Sequence, residues 1–139
     1  FPAYNEAENL RRFPVEVRYY EIVSDDRTVI RQKILGWCEE GIRLILTTGG
    51  TGLGPRDVTV EAVQEMIERE VPGIAEAMRG YGQRRTPYAM LSRGVVGVRG
   101  RTLILTLPGS SNGVRESIAA LFPNVLHLFN MIGGGGHPA

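Results

Sequence analysis

Two short stretches of the chain bring together residue types able to do chemistry. The first is Thr47-Thr48-Gly49-Gly50-Thr51-Gly52, followed closely by Arg56-Asp57; the second is Pro108-Gly109-Ser110-Ser111. Glycine lacks a Cβ, so backbone amides in such turns approach an anion closely, and a positive φ carries no penalty. The N–H groups that open a following helix then face that anion. Serine and threonine hydroxyls add hydrogen bonds. The chemistry this predicts is phosphate binding.

Arg56 fits that expectation, because a guanidinium grips phosphate through two parallel hydrogen bonds. Asp57 would repel a phosphate, and the conflict disappears when a Mg²⁺ ion lies between the two. A plainer reading is also open, and spacing alone favours it: Asp57 caps a helix that starts near Thr59, or pairs with Arg56. Asp25 and Asp26 pose the same choice between a metal-facing carboxylate at a neighbouring strand end and an ordinary N-cap. The glycines themselves have a plain reading as tight turns, weakened by the occurrence of two such turns at strand ends. Neither stretch is a P-loop or a dinucleotide fingerprint, so generic motifs do not name the ligand.

The elements that must position these residues follow from periodicity. Ala3 to Phe13 is read as a short helix ended by Pro14. Val15 to Val23 is β-branched and aromatic, and is read as a strand. Val29, Ile30, Ile34, Trp37 and Cys38 recur at helical spacing between Arg27 and Glu40, with Gly41 in the C-cap position. Ile42 to Thr47 is apolar on both faces, as a buried parallel strand is. Thr59 is expected to cap a helix from Val60 to about Arg69, and Pro72 to open a second helix containing Ile74, Ala75 and Met78. Gly80 to Thr86 reads as a flexible link. Strands are expected near Ser92 to Val98 and Thr102 to Leu107, joined through Arg99-Gly100. Helices are expected from about Gly113 to Leu121 and from Pro123 to Ile132, before a glycine-rich tail. Alternating strands and helices predict a parallel or mixed sheet with helices on both faces, and ligands in such folds sit at the carboxyl ends of strands.

Composition narrows the function classes. The chain has 139 residues, 42% of them hydrophobic, which suits one domain with a real core. A net charge of +1 gives no electrostatic case for nucleic acid or an anionic membrane. The apolar runs are shorter than a membrane span, and no signal-peptide pattern opens the chain. One cysteine and two histidines make a zinc site or an internal disulfide a poor fit, and a reducing cytoplasm is the expected location. Trp37, Cys38 and the tyrosines read as packing residues, His127 as core or interface, and Glu65, Glu68, Arg69 and Glu70 as a solvated face.

TTGGTGLGPRDVT, VPGIAEAMR and TPYAMLSRGVVGVRGRTLILTLPGS together resemble the molybdenum-cofactor biosynthesis family of MogA- and MoaB-type proteins. The resemblance runs from about Val15 to Pro138. It implies a three-layer α/β/α fold with a mostly parallel central sheet, commonly a homotrimer, in one domain spanning residues 1–139. It implies transfer of AMP from Mg-ATP to molybdopterin, or, as the alternative, molybdopterin binding without turnover, with a molybdenum-insertion protein as a possible partner. Carried across residue by residue, Asp25 and Asp57 match the family's essential, Mg²⁺-associated aspartates. Thr48, Gly49, Gly50, Thr51, Gly52 and Arg56 match the substrate and nucleotide loop, and Pro108, Gly109 and Ser110 match a Pro-Gly-Ser turn. Ser92-Arg93 matches a recurrent pair whose role spacing does not reveal. Two departures stand out: the family's opening apolar strand is not evident before Val15, and Ser111-Asn112 stands where Pro-Lys is usual.

Overall fold

The computed structural model describes residues 15–134, so the expected helix at Ala3 to Phe13 and most of the glycine-rich tail lie outside the described residues. Four strands form one sheet: β1 (Leu44–Thr48), β2 (Arg69–Glu70), β3 (Val96–Arg99) and β4 (Thr102–Leu107), in the order β1-β4-β3-β2. The helices are α1 (Arg27–Glu39), α2 (Thr59–Gln64), α3 (Pro72–Gln83), α4 (Ser111–Leu121) and α5 (His127–Ile132). The expected α/β class is therefore what the structure shows. Among the described residues, β1 runs parallel to β4, while β3 pairs antiparallel with β4 and β2 antiparallel with β3. The tight turn through Gly100-Arg101 permits only an antiparallel β3–β4 pair.

All six residues of β4 are buried, and they serve both faces of the sheet in alternation. Ile104 packs with Ile30, Ile34, Ile45, Val63 and Met66 under α1 and α2. Leu103, Leu105 and Leu107 point the other way, against Ala75, Met78 and Leu121 of α3 and α4. Burial of each such side chain stabilises the fold by roughly 1.5–3 kcal/mol. The two helical layers are thus tied to one central strand, and that strand ends at Pro108-Gly109-Ser110.

Local signals explain most element ends. Asp26 caps α1 by accepting from the Val29 N–H at 3.0 Å. Gly41 follows α1 with φ 86°. Pro72 opens α3, whose buried Ala75, Met78 and Gly82 recur at helical spacing. Ser110 caps α4 by accepting from the Gly113 N–H at 3.0 Å. Among the described residues no helix is long and apolar enough to cross a membrane.

Four sequence expectations need correction. Val15 to Val23 is extended but joins no strand among the described residues, and Val17, Tyr20 and Ile22 are more than four-fifths exposed. Propensity marks a segment as fit for a sheet, yet only a cross-strand partner makes it a strand. Side chains hold it instead: Tyr19 stacks on Trp37 at 5.7 Å, and Glu21 pairs with Lys33 at 2.8 Å. The helix after the glycine loop begins at Thr59 and ends at Gln64, so Thr59 is its first residue and not its cap. It stops because Met66 turns into the core and the Glu68 N–H bonds Val98 O, which starts β2 where helix was expected. Gly80 to Thr86 is no flexible link: α3 continues to Gln83, and the N–H groups of Arg85 and Thr86 both close on Gly82 O. β3 starts at Val96, four residues after Ser92, because Val95 bonds the Thr106 hydroxyl and Ser92 to Gly94 is bound elsewhere, as described next.

Candidate functional site

The parallel register sets Thr48 beside Leu107, so the two glycine turns leave the sheet together at the carboxyl ends of adjacent strands. The Gly49 N–H donates to Leu107 O at 3.0 Å. A Cβ built on Gly109 would lie 3.4 Å from Gly49 Cα, so the turns stack backbone on backbone. Gly50 has φ 70°, and a Cβ there would drive into Thr59. Thr48 is exposed and Thr51 is 6% exposed, so Thr51 belongs to the wall of the turn while Thr48 faces solvent at its mouth. Ser110, also exposed, holds the start of α4 with its hydroxyl.

Asp57 adopts neither of the plain roles open to it in the sequence. Its Oδ2 accepts the Gly54 N–H at 2.8 Å and lies 2.8 Å from where a Gly52 Cβ would sit, so it folds back into the loop and caps no helix. It makes no ion pair with Arg56, which is exposed. Oδ1 of Asp57 has no hydrogen-bond partner among the described residues. Asp25 is exposed beside the Asp26 cap. Arg27, two residues past Asp25, pairs with Glu65 just beyond α2. Among the described residues no group of three or more His, Cys, Asp or Glu side chains is arranged to hold a metal. Mg²⁺ takes one or two carboxylates beside substrate phosphates and water, and Asp57 keeps one oxygen open for such a role.

The residue that orders the loop is Arg93, whose role the sequence did not reveal. Its Nε donates to Gly52 O at 2.8 Å and its Nη2 to Asp57 O at 3.1 Å. The same guanidinium grips both oxygens of Glu61 at 2.9 and 3.0 Å, and its backbone N–H donates to Thr51 O at 2.9 Å. One side chain therefore spans the glycine turn, the Asp57 backbone and α2. The hydrogen bonds from Arg93 hold the Glu61 carboxyl below its ordinary range, against a smaller opposing effect of burial. The same pairing raises the Arg93 guanidinium, so both partners stay charged. Arg93 is itself held in place from below. Buried Thr106 donates to Val95 O at 2.7 Å and accepts the Val95 N–H at 2.8 Å, and Arg79 donates to Gly94 O at 2.8 Å.

A cavity of about 240 Å³ opens beside the second turn, with Met78, Ala89, Ser92, Thr106, Pro108 and Ser110 in its wall. A larger cleft of about 550 Å³ lies at the opposite end of β4, around Arg43, Arg99 and Arg101, away from both turns. The convergent turns, the free Asp57 oxygen and the adjoining cavity make the first end the candidate site. Such an arrangement can hold the phosphates of one ligand and the ring of another side by side.

The family model described as "probable molybdopterin binding domain" matches residues 6–127. A "molybdenum cofactor biosynthesis bifunctional protein" of Chlorobaculum tepidum is 37% identical over 130 residues, covering 94% of the chain and 42% of that protein. The chain thus spans less than half the length of that relative. A "molybdopterin adenylyltransferase" of Helicobacter pylori is 39% identical over 117 residues, covering 84% of the chain and 66% of that enzyme. The crystal structure of the molybdopterin biosynthesis enzyme MoaB from Thermus thermophilus superposes with a TM-score of 0.82 at 53% identity, covering 92% of the chain and 81% of that structure.

Proposed function

Because this chain belongs to the molybdopterin-binding domain family of molybdenum-cofactor biosynthesis proteins, of the MogA and MoaB type, we propose that it transfers AMP from ATP to molybdopterin. The observation that carries the reading is the stacking of Gly49 on Gly109, which sets two amide-lined turns side by side at one sheet end. The reaction needs two anions held in line: a terminal phosphate oxygen of molybdopterin attacks the α-phosphorus of ATP, that P–O bond forms, the bond to the β-phosphate oxygen breaks, and pyrophosphate leaves. Positioning and charge stabilisation supply most of such an acceleration.

In this reading the amides of Gly50 and Gly52 and the start of α4 at Ser110 bind phosphate oxygens, with Thr48 adding a hydroxyl, while the Gly49 N–H, held by Leu107 O, fixes the turn. Arg56, free and exposed, closes on the outer phosphates. Asp25 and Asp57 hold Mg²⁺, which when bound neutralises charge developing on the pyrophosphate. Arg93 touches none of the reacting atoms; it positions the loop. The chain acts as a single domain, works in the cytoplasm, assembles as a homotrimer and hands its product to a molybdenum-insertion protein.

The test is pyrophosphate release from Mg-ATP with and without molybdopterin, beside an Asp57→Asn variant. An asparagine Oδ1 still accepts the Gly54 N–H, so the loop persists while the charge is lost. The expected result is release that requires molybdopterin and vanishes in the variant. Molybdopterin binding without any pyrophosphate, from a protein shown to be folded, would replace the enzyme with a binding protein.

A further inference from the structure

The cavity beside the second glycine turn contains a carboxylate that the phosphate chemistry does not use. Glu116 of α4 lines it, half-buried, and its Oε2 lies 3.8 Å from where a Gly82 Cβ would sit on α3. Among the described residues Glu116 makes no hydrogen bond and no ion pair. The wall around it is largely apolar, with Ala75, Met78 and Ala89 contributing. Arg79 lines the same cavity with Nη1 committed to Gly94 O and Ser92 O, and its other guanidinium N–H groups have no acceptor among the described residues.

A half-buried carboxylate without a partner is costly, and a ligand that supplies N–H donors removes the cost. An ionised carboxylate only accepts, and its two oxygens lie side by side. The complementary chemistry is a flat heteroaromatic ring whose edge carries an exocyclic amino group next to a ring N–H, with a carbonyl oxygen beyond it for Arg79. The apolar wall takes the ring faces. We propose that Glu116 is the residue that recognises the aminopyrimidinone edge of a pterin in this cavity, and thereby selects the acceptor substrate. This deepens the reading under which the acceptor is molybdopterin, and rests on it. The placement is consistent with that chemistry, since Pro108 and Ser110 of the phosphate-binding turn share the cavity wall.

The experiment compares wild type with Glu116→Gln, which keeps size and shape but replaces one acceptor oxygen by a donor. Neopterin is titrated by its own fluorescence, lumazine (which has a carbonyl in place of the exocyclic amino group) serves as the control ring, and steady-state turnover is measured with molybdopterin. The expected result is that wild type binds neopterin more tightly than lumazine, and that the variant binds neopterin roughly tenfold or more weakly. KM for molybdopterin rises by a similar factor while KM for ATP stays put. Equal binding of the two rings by wild type, or an unchanged KM for molybdopterin in an active variant, overturns the assignment. Neopterin binding that depends on Glu116 in a wild type releasing no pyrophosphate supports the assignment and defeats only the adenylyltransferase reading.

Discussion

Replacing Gly50 with alanine probes the contact that shapes the first turn. Gly50 sits at φ 70°, and a Cβ there meets Thr59 Oγ1, with Thr59 Cβ at 2.8 Å and its backbone N at 3.3 Å. Thr59 is 7% exposed and opens α2 next to buried Val60, so it has nowhere to retreat without moving the helix. The left-handed backbone costs an L-residue roughly 1–2 kcal/mol, and forcing a methyl into filled space adds roughly 1–3 kcal/mol. The sum, about 2–5 kcal/mol, is a large share of the stability of about 5–15 kcal/mol that an ordinary domain has. Urea unfolding followed through Trp37, the single tryptophan of the chain, measures it. Adding Thr59→Ala removes Oγ1, the first atom in the way, and should return about 1 kcal/mol or more relative to the sum of the two single changes. A G50A protein within about 0.5 kcal/mol of wild type, or strict additivity in the double variant, would refute the claim that Thr59 is what keeps this position glycine.

Three further outcomes follow from side-chain contacts. Glu61 has its pKa lowered from 4.5 by Arg93, so its contribution to stability is present above that value and is lost as pH falls through the lower folded value. Stability of wild type should therefore decline more steeply below about pH 4.5 than that of Glu61→Gln, and parallel profiles would speak against the pair. Arg93→Lys offers one ammonium where a planar fork served Gly52 O, Asp57 O and Glu61 together. A loop displaced by even an ångström should lower turnover by roughly tenfold to a hundredfold with the circular dichroism unchanged; full turnover would show that Arg93 does not position the loop. Tyr19→Ala removes the ring stacked on Trp37, so the tryptophan emission should shift to the red, and an unmoved spectrum would mean that the segment before α1 does not cover it.

How much of this was legible in the sequence depended on whether the determinants were local. Asp26, Gly41 and Pro72 mark element ends through their own backbone or a partner a few residues away, and all three act in the structure as their positions suggest, while Ser110, read only as part of the second turn, also caps a helix that starts at Ser111 and not near Gly113. The bounds of β4 were equally plain, but burial on both faces, expected of Ile42 to Thr47, belongs to β4 instead: β1 spans Leu44–Thr48 with only Ile45 buried, because among the described residues it is an edge strand. The glycine turns were visible as turns, and their meeting followed once β1 and β4 were neighbours, which the order of elements along the chain does not state. Val15 to Val23 carried every mark of a strand except the partner, and a partner is a property of the fold.

Arg93 was the hardest residue to read. Its acceptors Gly52 O and Glu61 lie 41 and 32 residues away, and two of its side-chain hydrogen bonds end on backbone carbonyls that no side-chain pattern encodes. Ser92-Arg93 was visible only as a pair without a role. Val95 still faces Thr106, bonded to its N–H and its hydroxyl, and Arg79 holds Gly94 O, so the chain leaves the edge of β4 only before Val95 and Arg93 reaches across to the loop. The late start of β3 and the ordering of the glycine loop are thus one event: a strand extended to Ser92 would turn Arg93 into the sheet register and withdraw it from Gly52. A Thr106→Val change tests that link, since valine keeps the buried shape and removes both side-chain bonds to Val95 while leaving the backbone bond. It should lower turnover in the same direction as Arg93→Lys, and combining the two should cost less than the sum of their separate effects. Independent, additive losses would separate the sheet edge from the loop and undo the connection argued between them.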